Sequence, residues 1–170
     1  MGIESVFVVY SAEKLVQLSA RIQDCLGKLT PEQIWSRNSQ NENAVGNLVL
    51  HLCGNLNQWI GSGVAGKPDT RLRDQEFAAR GDIDATELAQ RLSAVVEDAA
   101  HTIRGLGAQA LMRQTTVQKY NITVLEAVYH VVEHFSQHTG QIVFVTKLLT
   151  GRDLGYYGHL AKSAHAETTP

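Results

Sequence analysis

The chain has 170 residues, of which 44% are hydrophobic, and its formal net charge is −2 at pH 7. This length allows one domain with a substantial core and leaves little room for a second. The near-neutral charge provides no basic surface for phosphate groups, so we expect no nucleic-acid partner. The two cysteines, Cys25 and Cys53, form neither a CxxC pair nor a disulfide framework, which is typical of a protein in the reducing cytoplasm.

Four long helices are predicted along the chain, joined by shorter segments. They run roughly from Ser5 to Gly27, Asn43 to Gly61, Ala85 to Leu106 and Thr123 to Thr150. The stretch "TPEQIW" predicts a short extra helical turn capped by Thr30, and the β-branched stretch "TTVQKYNIT" predicts extended backbone. The sequence therefore predicts an all-α four-helix bundle with short extra helical turns. We expect residues 1–162 to form a single domain and residues 163–170 a disordered tail.

The second predicted helix could be taken for a membrane span, because Asn43 to Gly66 contains no Asp, Glu, Lys or Arg. Several Asn and Gln residues and one His interrupt the segment, and a spanning helix would have to shield all of them from lipid. The pattern favours a helix buried inside a bundle, and we expect no membrane partner.

Three histidines lie four residues apart in "HVVEHFSQHTGQI" of the fourth predicted helix. At about 100° per residue, His134 and His138 fall on the flank of the apolar arc, whereas His130 falls closer to the polar side. Two inward imidazoles one turn apart can share a metal ion. Two core histidines that make ordinary hydrogen bonds are the simpler interpretation of a bare HxxxH pattern.

The uncharged second helix carries a polar stripe of four residues at helical spacing: Asn47, His51, Asn55 and Gln58. Such a stripe is expected to line a polar cavity that His134, His138 and Gln141 share. His51 would then complete a three-imidazole site for a divalent metal, with positions left open for water or substrate. A core histidine bonded to a backbone carbonyl is the alternative for His51 alone.

The segments "NLVLHLCGNLNQWI" and "HFSQHTGQI" resemble those of the DinB/YfiT-like metal-binding four-helix bundles. Within that superfamily, they are most similar to an uncharacterised bacterial branch. The resemblance extends from the first helix to about Gly151. It implies that His51, His134 and His138 are the metal ligands and that the metal is nickel or zinc. Characterised members of the superfamily are transferases or isomerases that use low-molecular-weight thiols.

The resemblance, together with the three histidines, implies a metal-dependent thiol S-transferase that acts on a small electrophile. A metal-dependent hydrolase and a non-catalytic metal-binding or dimerising bundle are the alternatives. Asn55 and Gln141 are expected to orient a ligand or contact substrate. The arginines of the connector after the second helix could bind an acidic thiol, although a solvated loop is the simpler interpretation. We identify no general base, and we expect a cytoplasmic homodimer with a small-molecule substrate.

Overall fold

The computed structural model describes residues 2–161, so the tail predicted to be disordered lies outside the described residues. The helices are α1 (Ile3–Lys28), α2 (Pro31–Ile34), α3 (Val45–Leu56), α4 (Arg73–Ala78), α5 (Ala85–Arg104), α6 (Ala108–Leu111) and α7 (Val124–Thr150). A π-helical segment, Asn57–Val64, continues α3, and a short 3₁₀ turn covers Gly158–Ala161. The strands β1 (Gln114–Val117) and β2 (Tyr120–Thr123) form an antiparallel hairpin before α7.

The ends of the helices follow local sequence signals. Thr30 and Thr123 each accept a hydrogen bond from the backbone of the third helical residue, and Gln33 and Glu126 bond back to complete two capping boxes. The helix α7 ends at Gly151, whose φ of 65° is left-handed and therefore suits a glycine. These signals confirm the short helical turn after Thr30 and both ends of the last predicted helix.

The helices α1, α3, α5 and α7 pack around one hydrophobic core. Almost every residue of α3 is buried, including polar Asn47 and His51, which explains why this helix carries no charge. The predicted four-helix bundle is confirmed. Within residues 2–161, no helix combines the length and the apolar character that crossing a membrane requires.

The second helix extends beyond its predicted end at Gly61, because the π-helical segment continues to Val64. The hairpin packs against this wider segment, and the Thr115 hydroxyl donates a hydrogen bond to the Gly63 carbonyl at 2.6 Å. At the hairpin tip, Gln118 and Lys119 have φ values of 51° and 70°, as a tight two-residue turn requires. The sequence predicted extended backbone here but not the pairing of the two strands.

Candidate metal centre

Three imidazoles from two helices converge on one point. His51 projects from α3, and His134 and His138 project from successive turns of α7. The Nε2 atom of His134 lies 3.1 Å from Nε2 of His51 and 3.2 Å from Nε2 of His138. Nitrogens that bind one ion at about 2.0–2.1 Å are separated by roughly 3.0–3.4 Å, so both distances fit a shared divalent cation. One ligand nitrogen from each residue lies within 4.8 Å of the others.

His130 lies outside this group, although it precedes His134 by one turn. Its ring packs against Trp59 with a centroid separation of 4.0 Å. Burial lowers the pKa of His130 more than the nearby Glu133 raises it. The helical wheel had separated His130 from the other two histidines, and the structure places it against an aromatic side chain.

Hydrogen bonds at Nδ1 determine which nitrogen of two histidines faces the centre. His138 Nδ1 lies 2.6 Å from Gln141 Oε1, which can only accept, so this nitrogen carries the proton. His51 Nδ1 lies 2.9 Å from Glu76 Oε2, a carboxylate oxygen that also accepts. Both histidines therefore direct an Nε2 lone pair toward His134, which is the arrangement of metal-binding imidazoles.

His134 cannot satisfy both of these lone pairs by itself. A neutral imidazole has one N–H, so His134 Nε2 can donate to His51 or to His138 but not to both. Its Nδ1 atom is buried and has no hydrogen-bond partner among the described residues. A cation held by all three Nε2 atoms would relieve the opposed lone pairs, so the donor set fits a metal that prefers nitrogen ligands, such as zinc or nickel.

The protonation states also suit metal binding. Burial, and then the charges of the neighbouring histidines, lower the pKa of His134 to about 3. Burial likewise lowers the pKa of His138, against the opposing effect of its hydrogen bond to Gln141. Both side chains are therefore neutral at pH 7, and the neutral imidazole is the form that binds a metal.

The polar stripe of the second helix does not face one cavity as predicted. The Asn47 amide donates to the backbone carbonyls of Glu76 and Ala79 and so fixes the connector after α3. Gln58 bonds to Asp69 of the same connector. Asn55 is buried one turn beyond His51, and its expected role in orienting a ligand stays a prediction. The stripe is divided because the connector folds back over α3 and accepts hydrogen bonds from the side-chain amides of Asn47 and Gln58.

The interpretation of the connector arginines as solvated was wrong for Arg71. Glu76 is only 9% exposed, and the Arg71 side chain forms an ion pair with it, with 2.7 Å between Arg71 Nε and Glu76 Oε1. Sequence reasoning missed Glu76 altogether and treated Arg71 as a free cation. The available signal was that His51, on a buried helix without charges, needed an acceptor for its second nitrogen.

The other two connector arginines lie outside this pair. Arg73 lies over the Phe77 ring, 4.9 Å from its centroid, and the Phe77 ring contacts His51 at a centroid distance of 4.8 Å. The Arg80 guanidinium donates to the backbone carbonyls of Phe77 and Ala79. The expected alternative, in which these arginines bind an acidic thiol, is not tested by these contacts.

The four-helix bundle and the three-histidine group between its second and last long helices match the arrangement that the resemblance to DinB-like bundles implied. Two solved structures share the fold. A conserved protein from Enterococcus faecalis matches with a TM-score of 0.71 and 17% identity, over 89% of this chain and 99% of that one. The DinB-like protein YjoA from Bacillus subtilis matches with a TM-score of 0.66 and 13% identity, over 86% of this chain and 96% of that one. At these identities the similarity establishes the fold alone.

The family model "Protein of unknown function (DUF1572)" matches residues 3–157. The chain therefore belongs to this family, and its fold is that of the DinB-like bundles that the sequence resembles. No curated protein matches the sequence.

Proposed function

We propose that this protein is a divalent-metal-dependent S-transferase that joins a low-molecular-weight thiol to a small electrophile, with nickel or zinc as the metal. The observation that carries the proposal is the convergence of three Nε2 atoms, at 3.1 and 3.2 Å from the central one. Three neutral protein ligands leave positions open for a small molecule and leave the positive charge of the cation uncompensated. Such a centre favours an anionic sulfur ligand.

The protein side chains would act by binding and orientation. His51, His134 and His138 would hold the cation, and Gln141 would orient His138 through Nδ1. A divalent cation at this position supplies the charge that stabilises a thiolate at neutral pH. In the overall reaction the thiol loses its proton to solvent and its sulfur forms a bond to the electrophilic carbon. The leaving group departs with the electrons of the bond that breaks.

Hydrolysis ranks second because the group of potential metal ligands found in residues 2–161 consists of three histidines and contains no carboxylate. Glu76 is the acidic side chain that contacts a histidine of the group, but it lies on the Nδ1 side of His51. Both of its oxygens accept hydrogen bonds from Arg71. A carboxylate held in this way is poorly placed to take a proton from water on the opposite side of the imidazole.

The test is a thiol-dependent turnover assay on protein loaded with nickel or zinc. Bacillithiol, glutathione or cysteine is added with chlorodinitrobenzene, and thioether formation is followed by absorbance and mass spectrometry. We expect turnover that requires both metal and thiol and that is lost in His134→Ala but kept in His130→Ala. Turnover of an ester panel without thiol would instead support the hydrolase. Metal binding without either activity would support the non-catalytic alternative.

We also propose a homodimer and a cytoplasmic location. Large apolar side chains are exposed on α1 and α7, among them Tyr10, Tyr129 and Phe144. Both cysteines are free thiols, which suits a reducing compartment. Light scattering of the purified protein would measure the mass in solution, and a monomer at micromolar concentration would contradict the dimer.

A further inference from the structure

A buried ion pair lies directly behind His51, on the side away from the other two histidines. We propose that Arg71 and Glu76 are positioning residues, which together hold His51 in the tautomer that directs its Nε2 lone pair toward His134 and His138. The proposal concerns the metal-binding part of the proposed function and rests on it. It does not depend on which reaction the bound metal supports.

The contacts form a closed arrangement around the Glu76 carboxylate. Arg71 donates from Nε to Oε1 at 2.7 Å and from Nη2 to Oε2 at 2.9 Å, which is the two-bond geometry that guanidinium and carboxylate groups favour. His51 Nδ1 lies 2.9 Å from the same Oε2. The side chains of Arg71 and Glu76 are 3% and 10% exposed, so water competes little for these bonds.

The donors around the Glu76 carboxylate determine which nitrogen of His51 carries the proton. Arg71 donates to both oxygens of Glu76, so this carboxylate is the hydrogen-bond acceptor of the group. Arg71 Nη2 also lies 3.1 Å from His51 Nδ1. A lone pair on His51 Nδ1 would face the carboxylate oxygen Oε2 at 2.9 Å, which is unfavourable. The proton therefore resides on His51 Nδ1, and the N–H groups of His51 Nδ1 and Arg71 Nη2 both point at Oε2.

The surrounding residues are arranged to keep the ion pair in place. Gln58 Oε1 accepts from Arg71 Nη1 at 2.9 Å, and the Asn47 amide donates to the Glu76 backbone carbonyl at 2.8 Å. On α3, Gly54 leaves the space that the pair occupies, because a Cβ at this position would lie 1.9 Å from Glu76 Oε1 and 3.0 Å from Arg71 Nε. The fold thus holds the carboxylate from the α3 side and from the connector side.

A role in positioning explains this arrangement better than a role in stability alone. Replacing a buried ion pair with apolar side chains is often neutral or stabilising, so the pair by itself is weak evidence of a stabilising device. What distinguishes this pair is its third partner, a histidine whose other nitrogen faces the candidate metal centre. Carboxylates that accept from metal-binding histidines fix the ring and raise its basicity.

The experiment compares Glu76→Gln with Glu87→Gln, in which the same change is made to the exposed ion pair with Arg91 on α5. Nitrogen-15 NMR of the metal-free protein reports the tautomer of His51, and competition with a chromophoric chelator gives the Kd for Zn²⁺. In the wild type we expect the Nδ1–H tautomer. A glutamine offers one oxygen and one NH₂ where the pair requires two oxygens, so either Arg71 or His51 then faces an N–H group.

For Glu76→Gln we expect a mixture of His51 tautomers and a Kd for Zn²⁺ weakened about 10- to 100-fold, whereas Glu87→Gln stays within about twofold of the wild type. If Glu76→Gln does not fold, Arg71→Lys replaces it, since lysine keeps the charge but loses the two-bond geometry. For Arg71→Lys we expect a smaller loss of affinity that still exceeds the loss in Glu87→Gln, with a mixed tautomer.

Two results would overturn the positioning role. One is an Nε2–H tautomer of His51 in the metal-free wild type. The other is an unchanged tautomer and Kd in a folded variant of Glu76 or Arg71. The tautomer measurement needs neither metal nor turnover, so failure of the proposed S-transfer reaction would be distinguishable from failure of this inference.

Discussion

Replacing His134 with alanine removes the imidazole that the other two share. His134 Nε2 lies 3.1 Å from Nε2 of His51 and 3.2 Å from Nε2 of His138, so it is the central ligand of the three. Without it, only His51 and His138 remain, and they lie on different helices. We expect His134→Ala to lose stoichiometric zinc or nickel binding. His130→Ala, the same truncation one turn earlier on α7, should keep it, since His130 packs on Trp59 instead.

The size of the effect on thermal stability follows from linkage. A metal that binds only the folded protein, at a hundredfold excess over its Kd, adds about 2.7 kcal/mol to the free energy of unfolding. For a chain of 170 residues, each kcal/mol raises Tm by about 2–4 °C, so metal should raise the Tm of the wild type by roughly 5–11 °C. The rise should be absent in His134→Ala and present in His130→Ala.

The assay is differential scanning fluorimetry of each variant with metal and with chelator, paired with elemental analysis of the dialysed protein. Taking the difference between the two conditions within each variant cancels the effect of the truncation on packing. The reasoning would be refuted by a wild-type Tm that does not respond to chelator. It would also be refuted by equal metal-induced rises in His134→Ala and His130→Ala, because the Nε2 geometry assigns the two histidines different roles.

Three further predictions concern protonation and the hairpin. Burial raises the pKa of the Cys53 thiol to about 12, so Cys53 in the native protein should react with iodoacetamide at pH 8 far more slowly than in urea, as mass spectrometry would show. The folded-state pKa of His134, about 3, lies below the unfolded value of 6.5, so the metal-free protein should lose stability as pH falls from about 6.5 toward 3. Urea midpoints at pH 7 and pH 5 should differ less in His134→Gln than in the wild type. Gln118 Nε2 donates to Gln58 Oε1 at 2.7 Å, and the same oxygen accepts from Arg71 of the ion pair behind His51. The shorter Gln118→Asn should therefore weaken zinc affinity, measured by chelator competition, more than the neighbouring Lys119→Asn does.

The bundle and the three histidines could be predicted because both depend on regular spacing. Helical periodicity gave the four long helices, and the angle of each histidine to the apolar arc separated His134 and His138 from His130. The partner of His138 was also accessible, because Gln141 lies one turn away on the same helix. Contacts within one helix are determined by its period and can be read from the sequence.

The ion pair behind His51 could not be predicted in this way. Arg71 and Glu76 lie in a short connector without hydrophobic periodicity, and charged residues in such segments are usually solvated. Their contacts to His51 depend on how the connector folds back over α3, which is a tertiary property. The π-helical extension was missed for a similar reason, since the glycines at 61 and 63 mark the end of a helix by local rules, whereas the hairpin packs against a continuing one.

The absence of a side chain at Gly54 has a consequence for comparing members of this family. A single methyl group at this position would occupy the space of the Glu76 carboxylate, which lies 1.9 Å from an ideal Cβ. A homologue with alanine or a larger residue here must therefore hold its connector farther from α3 and obtain the acceptor for its histidine from elsewhere. The residue three positions after the α3 histidine should thus divide the family into two lineages, and those with glycine should also carry an arginine and a glutamate five residues apart in the connector.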